Sequence, residues 1–330
     1  MVGMADVAQQ VVDELEVLAE EREQMGPRAA ADRPPEHFVI TGNPGTGKTQ
    51  LANILSEALA GIDTSRSADV AVFNAAQLSG YGYMGEAAAA LTSFLDANPG
   101  KVILIDEAHT LADKDSYGRS VMRVIIPLMT QKGPNAHRFI FAGYPETEQA
   151  LGDLDPGFAS RISSTFAMPD YSTADLQAIA RTKIVGDTLD PAGARALDAA
   201  VSSLPAFERS VQEKFANGRG VERLMDQVRK ERLLRISRAR KGGASSADID
   251  WNYTAEDVTA GWGRLKLGPL KIPRAAKTAA EPAAEPKPTQ VPSPAGRRPV
   301  PGSVAAEPNS YFGSASLGPE PNRRRKRQTI

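Results

Sequence analysis

The chain has 330 residues, 41% of them hydrophobic, with 39 basic and 40 acidic side chains for a formal net charge of −1. That length and apolar content suffice for two domains with real cores, and the balanced charge makes neither nucleic acid nor an anionic membrane an obligatory partner. The absence of cysteine excludes disulfide frameworks, thiolate metal sites and cysteine nucleophiles, and three scattered histidines (His37, His109, His137) argue against a histidine metal cluster.

Residues 5–25 set Val7, Val11, Val12, Leu15, Leu18 and Met25 at near-helical spacing among acidic residues, which predicts an amphipathic helix, ended by a polar linker with Pro34 and Pro35. Those acids leave no room for a secretory apolar stretch, and no membrane-length run follows, so the expectation is a cytoplasmic chain with no membrane span. His37 to Thr41 reads as a strand that opens into glycines, and residues 50–59 have helical periodicity. Further short strands are predicted at Val70–Phe73, Val102–Ile105 and Arg138–Ala142, with helices at Glu86–Asn98 and Ser120–Gln131 between them. Such alternation implies an α/β fold, a parallel sheet flanked by helices, with ligands at the carboxyl ends of the strands.

From Ser172, with Asp175 three residues on as a helix-capping signature, the pattern turns helical. The expected domains are therefore an α/β unit over 1–171 and a small all-helical unit over 172–270, the latter packing Trp251 and Trp262. From Pro273 on, the chain carries eleven of its 24 prolines and few large apolar residues. Residues 271–330 are thus expected to be a disordered tail, ending in the basic run Arg323 to Arg327. That run is the one feature suited to nucleic acid, an acidic partner or anionic lipid, although basic tails are often merely solvated.

Gly42-Asn43-Pro44-Gly45-Thr46-Gly47-Lys48-Thr49 has the spacing of a phosphate loop and sits where that loop belongs, after a strand and before a helix. Glycines at Gly42, Gly45 and Gly47 let main-chain N–H groups turn inward as an anion nest, and the following helix adds its positive end. Lys48 then supplies a point charge to the β and γ oxygens of ATP, and the Thr49 hydroxyl a ligand for Mg²⁺. A second element, Val102 to Ile105 followed by Asp106 and Glu107, is a buried-strand run ending in two carboxylates at what should be an adjoining strand tip. There Asp106 can complete the Mg²⁺ shell and Glu107 can polarise a water for attack on the γ-phosphate, roles that the pair would not suggest without the preceding loop. The string Asp106-Glu107-Ala108-His109 has a helicase ring to it, but too few strands follow for a second helicase core, so His109 reads as incidental.

Taken together, the loop from Thr41 to Thr49, the segment Phe141-Ala142-Gly143-Tyr144, and Asp155 to Ile162 followed by Met168-Pro169-Asp170-Tyr171-Ser172 resemble the CbxX/CfqX family of AAA+ ATPases. This family includes red-type rubisco activases, stage V sporulation protein K and the EccA-type secretion ATPase module. The resemblance spans residues 1 to about 260 and implies a homo-oligomer, a hexameric ring, with chaperone-like action on a protein substrate. By position it makes Arg161 an arginine finger that reaches the neighbouring subunit's nucleotide, against the reading of a surface arginine before a strand. Arg219 matches the position that touches the γ-phosphate in cis, with Arg223 as a competitor and a solvated helix-terminal arginine as the plain alternative. Val2 and Gly3 fall in the opening segment that lies against adenine. Tyr83 and Met84 fall in the central-pore loop that grips an extended polypeptide, although an aromatic in a glycine-rich loop also packs on its own domain. Two other readings stay open: a nucleotide-dependent scaffold or adaptor, and a DNA-directed loader.

Overall fold

The structure, a computed structural model, describes residues 2–26, 32–63, 67–80, 84–113, 117–184, 188–210, 217–265 and 270–272. These all fall in one compact unit, residues 1–275. The basic run and most of the proline-rich tail lie outside the described residues.

Five strands, β1 (Phe38–Gly42), β2 (Val70–Asn74), β3 (Val102–Asp106), β4 (Arg138–Gly143) and β5 (Ser164–Met168), form one sheet in the order β2-β3-β4-β1-β5. Every pairing is parallel. The three inner strands are covered on both faces, which is why they are near-continuous apolar runs that stand out in the sequence. At the edge, β5 buries Phe166 and Met168 and exposes Ala167 between them, an alternation that the search for apolar runs passed over.

One face of the sheet packs Val39, Ile103, Ile105, Phe139 and Phe141 against α3 (Met84–Asp96), α4 (Gly118–Leu128) and α5 (Thr147–Leu154). The opposite face packs Phe38, Ile40, Leu104, Ile140 and Phe166 against α1 (Ala5–Met25) and α2 (Lys48–Ile62). Of the apolar residues expected on the α1 stripe, Val7, Val11 and Leu18 are buried, whereas Val12 and Met25 are exposed because they turn away from the single face that the sheet covers.

After Met168 the described residues form no further strand, only α6 (Thr173–Thr182), α7 (Pro191–Ser210), α8 (Asn217–Lys241) and α9 (Ala255–Arg264). Their own core gathers Leu176, Leu197, Val201, Leu224, Val228, Val258 and Trp262. Capping boxes start α6 at Ser172 with Asp175 and α9 at Thr254 with Asp257, so two orphan donors are met at each helix start. Trp251 is not packed as expected: it is 42% exposed, and the Arg240 guanidinium lies 5.1 Å from its ring centroid.

At the amino-terminal end of the sheet, Arg22 of α1 bonds Glu36 at 2.9 Å and Asp63 at 3.0 Å, and Arg138 of β4 bonds Glu36 at 3.2 Å. Burial alone would raise the Glu36 pKa. Arg22, the residue's own backbone N–H and Arg138 outweigh it and hold the carboxyl below the usual glutamate range.

Candidate active site

The strand order places β4 between β1 and β3, so the phosphate-loop pattern and Asp106 leave the sheet two strands apart rather than at adjoining tips. That is a gap of roughly 10 Å at ordinary strand spacing. Residues 42–47 form the turn that follows β1, with Gly45 at φ 77° and Gly47 at φ 94°, left-handed values that a side chain would oppose. Gly47 opens α2 without a side chain to cap it, which leaves the first-turn amides for a ligand.

In front of this turn lies a cavity of about 670 Å³. Pro44, Gly45, Gly47, Lys48 and Thr49 line one side, and Asp106 and Glu107 line another. Lys48 Nζ donates to the carbonyls of Gly42 at 2.8 Å and Asn43 at 3.1 Å. Burial pushes the lysine pKa down, Glu107 and Asp106 pull it back, and Arg219 adds to the lowering. Glu107 has φ 54°, a region that non-glycine residues seldom occupy, and its N–H donates to Asp106 Oδ1 at 3.0 Å. His109, read as incidental, has its ring centroid 4.3 Å from that of Tyr144 and Nδ1 3.6 Å from Glu107 Oε2. It is therefore a neighbour of the second carboxylate.

Val2 and Arg219 also line the cavity, the latter from the first turn of α8, whereas Arg223 is not in its wall. Gly3, at φ 66°, sits against the Asp175 carboxylate where any side chain would collide. Thr46 is fully buried behind the loop, its hydroxyl donating to the Asn43 carbonyl at 2.9 Å. Arg161 does not face its own chain's cavity. It ends a short 3₁₀ turn, donates to the Gly157 carbonyl, and keeps a buried Nε with no hydrogen-bond partner among the described residues. Tyr83 lies outside the described residues, and Met84 is the first residue of α3, its side chain outside them.

The walls fit a nucleoside triphosphate with its cation. Free first-turn amides with Lys48 and Arg219 suit an anion, Lys183 in the same wall being paired with Glu222, and the Thr49 hydroxyl and the Asp106 carboxylate are hard oxygen donors of the kind Mg²⁺ takes. Among the described residues no group of three or more His, Asp or Glu could hold a metal by itself. A cation here would thus share its shell with substrate phosphates, as Mg²⁺ usually does. Three residues around the loop were given no role by the sequence reading: Tyr171, which lines the cavity and whose hydroxyl donates to the Thr46 carbonyl at 3.0 Å, and Asp170 and Asn217, which hold the loop from outside the cavity. They contact the loop only through the fold.

The model of the ATPase family associated with various cellular activities (AAA) matches residues 38–170, which hold the whole sheet but no helix after α5. Protein CfxQ of Xanthobacter flavus is 30% identical over 225 residues, covering 67% of this chain and 68% of that protein. The chloroplastic ribulose bisphosphate carboxylase/oxygenase activase of Cyanidioschyzon merolae is 29% identical over 208 residues, covering 62% of this chain and 66% of that one. Among solved structures, the AAA domain of FIGL-1 in complex with ADP superposes with a TM-score of 0.52 at 17% identity, over 80% of this chain and 84% of that one, a likeness of fold alone. A phosphate-loop cavity in an AAA sheet, within a sequence that CfxQ shares over two thirds of both chains, makes this protein an ATPase that belongs to the CbxX/CfxQ-type family of AAA ATPases.

Proposed function

We propose that the chain hydrolyses ATP with Mg²⁺ inside a homo-oligomeric ring, a hexamer, in the cytoplasm, and uses the cycle to remodel or thread a protein substrate. In this reading Lys48 and the amides of residues 45–49 hold the triphosphate, and Arg219 adds a cation from α8. Thr49 and Asp106 hold Mg²⁺, which when bound neutralises charge on the phosphate oxygens. Glu107 orients the attacking water and takes its proton as the new P–O bond forms and the bond to the β-phosphate oxygen breaks. Arg161 serves the next copy's cavity, and Tyr83 with Met84 grips the polypeptide in the ring's centre. The basic tail alone is suited to nucleic acid.

One observation carries the ring: Lys48, Glu107 and Arg219 line one cavity, while Arg161 lies outside its wall and donates to the Gly157 carbonyl of its own chain. A site so built gains its last positive charge from a second copy. The protein substrate is supported by the relative named an activase of a carboxylase, matched over 62% of this chain. Mixing Glu107→Gln subunits into wild type at fixed total protein tests the ring. Activity should fall more steeply than the fraction of mutant, and a straight-line fall would mean that each subunit works alone.

A further inference from the structure

Asn217, the first residue of α8, is 1% exposed and has φ 46°, a left-handed conformation that asparagine accepts more readily than most side chains. Its Nδ2 donates to Asp170 Oδ1 at 2.8 Å and to the Pro44 carbonyl at 3.3 Å, and its Oδ1 accepts from the Tyr171 N–H at 3.0 Å. The same Asp170 carboxylate accepts from Asn43 Nδ2 at 2.9 and 3.1 Å. One residue on, the Gly218 N–H donates to the Gly45 carbonyl at 3.0 Å, and a side chain at Gly218 would stand 3.0 Å from that oxygen. With Tyr171 on Thr46, the three successive carbonyls 44, 45 and 46 are all held by the segments that lead into the helices.

An anion nest turns its amides toward the ligand, and its carbonyls therefore turn away. Here that outward side is the surface which α8 grips. We infer that Asn217 and Asp170 are positioning residues of the ATPase: they tie the shape of the phosphate loop to the placement of α8, and with it to Arg219 two residues further on. A triphosphate that draws the loop amides inward moves carbonyls 44 to 46, and α8, 25 residues and roughly 37 Å long, follows at its root. Conversely, an α8 held in place by this bond set pre-shapes the loop, so nucleotide affinity depends on a bond that touches no nucleotide.

The inference rests on the cavity being the nucleotide site, and the test separates the two. Binding of a fluorescent ATP analogue is measured for wild type, Lys48→Ala, Asn217→Asp, and the double variant Asn217→Asp with Asp170→Asn. Asn217→Asp sets a carboxylate against Asp170 and against the Pro44 carbonyl and should weaken binding about tenfold, whereas the double variant restores the net charge and a bond between residues 217 and 170 but leaves the Pro44 carbonyl without its donor, and should recover only part of that loss. If Lys48→Ala binds as wild type does, the site assignment itself falls. If Lys48→Ala loses binding while folded Asn217→Asp stays within twofold of wild type, only the coupling falls. A second measurement needs no variant in the bond set. The chain has no cysteine, so Ile54→Cys on α2 and Leu233→Cys on α8, both exposed positions, accept distance probes. The distance between them should change when a non-hydrolysable ATP analogue binds, and an unchanged distance at saturation would overturn the coupling.

Discussion

Glu107 and Lys48 face one cavity but answer different questions when replaced. Glu107→Gln keeps the shape of the side chain and removes the carboxylate proposed to accept the proton. Steady-state ATPase assays should show at least a 100-fold loss of kcat, with equilibrium nucleotide binding close to wild type. Lys48→Ala takes away the point charge and its bonds to the loop carbonyls, so binding itself should fail in the same titration. The sequence reading picked out these residues because each carries its chemistry at a fixed spacing. It missed Asn217, since a buried asparagine at φ 46° is a property of the space it fills.

At the scale of elements, the junction of α1, β1, α2 and β4 depends on Glu36 standing between Arg22 and Arg138. Glu36→Gln removes the carboxylate that Arg22 and Arg138 share, leaving Arg22 its bond to Asp63, and should cost about 3 kcal/mol in chemical denaturation at neutral pH. Because the folded-state pKa is lowered, the Glu36 contribution is complete above the ordinary glutamate range and is lost as pH falls through the folded value. The stability gap between wild type and Glu36→Gln should accordingly shrink on acidification below about pH 4.3 and stay flat from there to neutrality. The helix caps make a smaller test. Ser172→Ala and Thr254→Ala each remove one accepted backbone bond and should lower stability by about 1 kcal/mol. Both caps open helices of the same helical core, and both have the same spacing in the sequence, although only the Ser172 cap was picked out there.

For the whole molecule, the decisive prediction concerns Arg161, whose guanidinium bonds, among the described residues, the Gly157 carbonyl and Ser160. If a neighbour uses it, Arg161→Ala should lower kcat by about 10³-fold while the affinity of each chain for ATP holds. Wild-type activity per subunit should in turn rise with protein concentration. Activity per subunit that is independent of dilution, with Arg161→Ala fully active, would remove the finger and leave the nucleotide site standing.

Local spacing alone was enough to place the phosphate loop, the inner strands and the paired carboxylates, because a buried parallel strand must be apolar and an anion nest must have glycines wherever they occur. The edge strand β5, the position of β4 between β1 and β3, the exposure of Trp251, and the grip of Asn217 on the back of the loop were decided by the tertiary structure. Each of these depends on which surface a residue meets across tens or hundreds of positions, as with Pro44 and Asn217, 173 positions apart. No window of sequence contains both partners of such a contact, so only the folded chain could show it.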